Sequence, residues 1–98
     1  MDHTLKKIKR LVLQGNFQFT LKADLEMVED GLNELDVLEA ITNSKQIEKT
    51  LNSTNPKTGK KEKRYIIKGF TYDNILVYTK GKVDRDQFYI LISSKRSL

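Results

Sequence analysis

The side chains with chemical reach in this sequence are cations and phenols, and they collect in its second half. Arg64 and Lys68, Tyr78 and Lys80, and Tyr89 and Lys95 are separated by even numbers of residues. On a β-strand that spacing puts each pair on one face. Lys and Arg hold phosphate and steady developing negative charge, while Tyr offers a ring for bases to stack on. Imidazole and thiolate chemistry have almost no representatives: one His, His3, close to the N-terminus, and no Cys. The charge divides with the elements. Residues 1–44 hold five Lys/Arg against eight Asp/Glu (−3), and residues 45–98 hold thirteen against five (+8), giving the net +5. Cations gathered on strands and strand loops present a surface to something anionic, and nucleic acid is the commonest ligand broad enough to cover it.

Other chemistries find no support. Gly59-Lys60-Lys61 lacks the preceding Gly and following Ser/Thr of a phosphate loop. Asp24, Glu26, Glu29, Asp30, Glu34, Asp36 and Glu39 fall at spacings that solvate helix exteriors, which argues against paired acid–base or metal work, and no cofactor is expected. Absence of Cys removes disulfides and suits a reducing compartment. No long apolar stretch follows the N-terminal charges, and the longest uncharged apolar run, Tyr89 to Ile92, is too short to span a bilayer. A cytoplasmic protein without a membrane partner is expected.

Ninety-eight residues suit one domain, 1–98. Thr4 is placed to cap a first helix whose Leu5, Ile8, Leu11 and Val12 share a face, with Lys6, Lys7, Lys9 and Arg10 around the rest and Gly15 as its stop. Asn16 to Thr20 reads as an extended connector. Thr20 caps a second helix carrying Leu21, Leu25, Val28 and Leu32, and Gly31 closes it. Asn33 and Asp36 form a capping box for a third, with Leu32 and Val37 at staple spacing. Beyond Ser44 the period becomes two, predicting strands at 46–51, 63–70, 74–80 and 87–95 joined by a long loop, a tight turn at Thr71–Asn74 and a connection containing Gly81. The expected architecture is α+β: N-terminal helices on one face of a four-stranded antiparallel sheet.

Alternation then sorts the strand residues. Phe88, Ile90 and Ile92 with Ile75 and Val77 make the apolar floor expected under the helices. Tyr78, Lys80, Tyr89 and Lys95 turn outward together, and Arg64, Ile66 and Lys68 share a side. Lys49 stands in step with Ile47 and Leu51, where a Lys snorkels at an edge or has a partner or a task. Taken singly, each of these cations is a solvated surface residue that also blunts a strand edge. Together they combine phosphate-binding charge with stacking surface.

The order of elements and several short motifs resemble the MqsR-like toxins of bacterial toxin–antitoxin pairs, within the wider RelE-like group of ribonucleases. The motifs are Ile8-Lys9-Arg10-Leu11-Val12 with Gly15, then Thr20, Ala23 and Gly31-Leu32, then Ile47-Glu48-Lys49-Thr50, and Ile90-Leu91-Ile92-Ser93-Ser94-Lys95. The resemblance implies a metal-independent endoribonuclease acting on mRNA. In that chemistry a base takes the ribose 2′-OH proton, the oxygen attacks the adjacent phosphorus, and an acid protonates the departing 5′ oxygen. It also implies a cognate antitoxin as partner. Lys49 and Lys95 match lysines of the family's catalytic surface, and Tyr78 its tyrosine. The family's glutamine near the second strand has no counterpart, since Lys63 and Arg64 stand there.

The expected catalytic set is therefore Lys49, Arg64, Tyr78 and Lys95, with Lys95 or Arg64 steadying the phosphorane and Lys49 or Tyr78 moving the proton. A free lysine titrates near ~10.4, so a lysine acting as the base near neutral pH needs crowding by other cations or burial. Lys63, Lys68, Lys80, Lys82, Tyr89 and Arg96 form the expected RNA-binding set. The rival expectations are a non-catalytic RNA- or DNA-binding module on the same fold, and a protein-interaction domain working through its acidic helices.

Overall fold

The computed structural model describes residues 3–98; Met1 and Asp2 lie outside them. Three helices, α1 (His3–Leu13), α2 (Leu21–Glu29) and α3 (Glu34–Asn43), precede most of an α+β fold. The strands are β1 (Phe17–Phe19), β2 (Lys49–Thr54), β3 (Lys61–Phe70), β4 (Leu76–Asp84) and β5 (Phe88–Arg96). They form one sheet in the order β1-β5-β4-β3-β2. The sheet is thus five-stranded and mixed, where four antiparallel strands were expected. The connector at Asn16–Thr20 supplies the extra strand, because its backbone pairs parallel to β5, Phe17 opposite Tyr89 and Phe19 opposite Leu91.

Local signals position the helices well. Leu5, Ile8, Leu11 and Val12 of α1 are buried as their spacing predicts. The helix already begins at His3, so Thr4 lies in its first turn and is not its cap. Thr20 caps α2, its hydroxyl accepting from the Ala23 amide at 3.1 Å. The Asn33–Asp36 capping box is complete, at 2.8 and 3.0 Å. Gly15 and Gly31 terminate α1 and α2 at positive φ.

Two glycines set the packing on the sheet. A Cβ at Gly69 would stand 1.9 Å from the Ala40 carbonyl oxygen, so its absence lets α3 lie directly on β3. A Cβ at Gly81 would stand 2.5 Å from Cζ of Tyr89. Gly81, expected in a connection, is therefore mid-strand and makes room for an aromatic ring. The turn lies further on, in the three-residue loop between Asp84 and its partner Phe88, where Arg85 and Asp86 have positive φ and the Gln87 amide donates to the Asp84 carbonyl.

A β-bulge in β5 decides which residues face the helices. Lys80 pairs with Ser93 but Gly81 pairs with Leu91, leaving Ile92 as the extra residue. Tyr89, Leu91 and Ser93 turn inward and are buried, and Ser94, opposite Thr79, is buried as well. Lys95 then turns outward opposite Tyr78. Phe88, Ile90 and Ile92, expected to form the floor of the core, lie on the other face, partly or largely exposed.

Candidate nucleic-acid interface

The helices cover one face of the sheet, and the opposite face is open. Its cationic residues follow from strand register. Tyr78 in β4 sits between Lys68 of β3 and Lys95 of β5, its direct partners on either side. Lys80 follows two residues along β4, opposite Ile66, and Ile66 is opposite Lys49 at the β2 edge. The Lys95 ammonium stands over the Tyr78 ring, 5.4 Å from its centroid. A concavity of about 320 Å³ opens here, lined by Lys68, Tyr78, Lys95, Arg96, Ser97 and Leu98. Lys68 also lines a larger one of about 740 Å³ that runs past Phe70 to Lys45. Half-buried Ile66, Leu76, Ile90 and Ile92 lie on the same face and give the lysine stems apolar ground.

The other end of this face is different. Glu62 Oε1 accepts from Asn55 Nδ2 at 2.7 Å and from Lys82 Nζ at 3.1 Å, and Oε2 lies 3.8 Å from Arg64 Nη2. Hydrogen bonds from Asn55 and Lys82 hold the Glu62 carboxyl below the usual range against an opposing effect of burial, helped by the charges of Lys82 and Arg64. This single carboxylate partly offsets two of the expected cations, Lys82 at 3.1 Å and Arg64 at 3.8 Å. Among the described residues, Lys49, Lys68, Lys80 and Lys95 form no ion pair.

The expected catalytic set is therefore not one cluster. Tyr78 and Lys95 are adjacent. Lys49 lies two strands and one residue pair away, about 12 Å between backbones at ordinary sheet spacings. Arg64 lies toward the other end, 3.8 Å from Glu62 Oε2 and without a hydrogen bond to it. Within the expected RNA-binding set, Lys68 and Lys80 are on the open face beside Tyr78, and Lys82 is there but paired. Lys63 alternates in step with buried Ile67 and so belongs to the helix-side row, exposed beyond the helices. Arg96 is tied to the end of α2, its amide donating to Asp30 Oδ2 at 2.8 Å and its Nε to the Asp30 carbonyl at 3.0 Å.

Tyr89 does not belong to the RNA-binding set. It is 0% exposed in the core, where burial, with the neighbouring Tyr65 adding to it, pushes its phenol well above the ordinary value. It has no surface on which a base can stack. Glu26 also departs from expectation. Its spacing puts it on a helix exterior, but its Oε1 accepts from Ser93 Oγ at 2.7 Å and the Ser94 amide at 3.3 Å. Burial would raise that carboxyl, yet these hydrogen bonds, with Lys22 nearby, leave it lowered. The cations of α1 also have internal roles: Lys7 pairs with Asp86, and Lys9 donates to the Ser44 carbonyl.

Lys68, expected only as a general RNA-binding residue, is by register as close a neighbour of Tyr78 as Lys95 is. Its even spacing from Arg64 locates the face but not the cross-strand partner. Among the described residues no group of three or more His, Asp or Glu could hold a metal ion, and no helix is long and apolar enough to cross a membrane. Comparison of the chain with family models, curated proteins and solved structures found no match.

Proposed function

We propose that the open face binds single-stranded RNA and cleaves it without a metal, as a RelE-like ribonuclease toxin of the MqsR-like kind, cytoplasmic and restrained by a cognate antitoxin. The observation that carries this reading is Tyr78 flanked by Lys68 and Lys95, with Lys80 beside it and none of the three lysines in an ion pair among the described residues. Phosphate oxygens are held by the three lysines while a base stacks on the exposed part of the Tyr78 ring. Positioning the 2′-hydroxyl in line with the phosphorus lets the 2′-oxygen attack as its proton departs. The P–O5′ bond breaks, the 5′ oxygen takes a proton, and the products are a 2′,3′-cyclic phosphate and a 5′-hydroxyl. Lys95 steadies the phosphorane, a fixed cation being worth ~3 kcal/mol in such a site. Tyr78 is the proton-transfer group within reach. Lys49, at its distance, holds a neighbouring phosphate.

A second reading, a non-catalytic RNA-binding module, is favoured by one observation: Lys49 and Arg64 are not gathered around Tyr78. Induced expression in a bacterial host separates the two. Wild-type protein is expected to arrest growth and deplete mRNA, and Lys95→Ala to do neither at equal abundance. Harmless expression of both forms with intact mRNA would remove the toxin reading and leave the binding module.

A further inference from the structure

The helix α2 is turned the wrong way for its own sequence. Its large apolar residues Leu21, Leu25 and Val28 follow one another at i, i+4 and i+7, yet they are 74%, 58% and 66% exposed. The face that packs on the sheet instead carries Ala23 and Met27. Polar anchors fix this rotation: Thr20 caps the first turn and donates to the Ile92 carbonyl, Glu26 holds Ser93 and Ser94, and Asp30 holds Arg96. Asp24 and Glu29 flank the stripe and are exposed, and Lys22, beside it, is paired with Glu26.

A leucine-bearing stripe held toward solvent by dedicated hydrogen bonds is a surface with an occupant. We propose that it docks an amphipathic helical segment of another protein, with apolar residues at helical spacing and Lys/Arg along their flanks. Charge selects that chemistry. Asp24 and Glu29 make this strip locally acidic in a protein of net charge +5, so a cationic helix is attracted here and repelled by the basic open face of the sheet. A second copy of this chain fits poorly. Its basic amphipathic helix, α1, already buries Leu5, Ile8, Leu11 and Val12 in its own core. The stripe lies on the helix side of the sheet, so docking there does not depend on RNA binding at the open face.

The test uses the full chain and three designed peptides of about five helical turns: an amphipathic Leu/Lys helix, its scrambled counterpart of equal composition, and a Leu/Glu version. The Leu/Lys helix is expected to bind and to shift the backbone resonances of Leu21, Leu25 and Val28. Leu25→Ser, which keeps the charges, and Val28→Ser should each weaken it at least tenfold with circular dichroism unchanged, and the scrambled and Leu/Glu peptides should bind at least tenfold more weakly. Equal binding of the scrambled peptide, resonance shifts away from α2, unchanged affinity in both folded variants or no binding at all would overturn the proposal. So would sedimentation as a dimer that Leu25→Ser converts to monomer, which would make the occupant a second copy.

Discussion

The open face of the sheet has two ends that both carry cations but differ in whether those cations are paired. Around Tyr78, Lys68, Lys80 and Lys95 stand close together, none of them in an ion pair among the described residues. Around Glu62, Arg64 and Lys82 are drawn to a single acidic side chain that Asn55 also holds. Both ends contribute to the same positive total, but only the first can offer its full charge to a phosphate. A count of Lys and Arg cannot separate the two; the cross-strand neighbours can.

The largest effect expected from this contrast is at the Tyr78 end. Lys95→Ala should lower RNA cleavage by about two orders of magnitude, the cost of losing a fixed cation worth ~3 kcal/mol at a developing phosphorane. Arg64→Ala, at the paired end, should cost far less. Equal losses from the two would erase the distinction between the ends. Next, Lys68→Ala with Lys80→Ala should weaken RNA binding about tenfold at low salt. The slope of log affinity against log salt should fall by about 1.4, roughly 0.7 for each phosphate of a single strand that a lysine no longer neutralises.

Glu62→Gln should work in the opposite sense, freeing Arg64 and Lys82 and raising RNA affinity several-fold in a filter-binding titration. A fall in affinity would mean that Glu62 orients those cations for the ligand. The smallest effect is on stability. The folded Glu62 carboxyl is lowered, so its contribution is present above the ordinary carboxylate pKa near ~4.3 and is lost as pH falls through the folded value. Thermal unfolding of wild type should therefore lose more between about pH 5 and pH 3 than that of Glu62→Gln.

Capping and glycine signals made the helices legible, because they act within a few residues: Thr20, the Asn33–Asp36 box and Gly31 each do in the structure what their spacing implies. Four of the five strands were legible too, with shifts of up to four residues at the ends, while β1 was read as a connector because its parallel pairing with β5 is not a local signal. Long-range register was not. One extra residue at Ile92 re-phases β5, so Tyr89 and Lys95, six positions apart and nominally on one face, end on opposite faces. The same limit applies to α2, whose orientation is set by Glu26 and Asp30 meeting β5 residues 66 to 68 positions away. Its leucines were expected in the core because hydrophobic period ordinarily decides which face is buried. Of the site, Tyr78 could be read from alternation, while the outward turn of Lys95 depends on the bulge, and the partnership of Lys68 and the pairing of Glu62 depend on which strands are neighbours.

The most direct test of the central claim is incubation of purified wild-type protein and Lys95→Ala with single-stranded RNA in the presence of a metal chelator, followed by end-group analysis of the fragments. Fragments ending in 2′,3′-cyclic phosphate and beginning with 5′-hydroxyl, formed by wild type and nearly absent with the variant, are the predicted result. RNA left intact by wild type, or cut equally by both proteins, would contradict the assignment of cleavage to the Tyr78–Lys95 end of the open face.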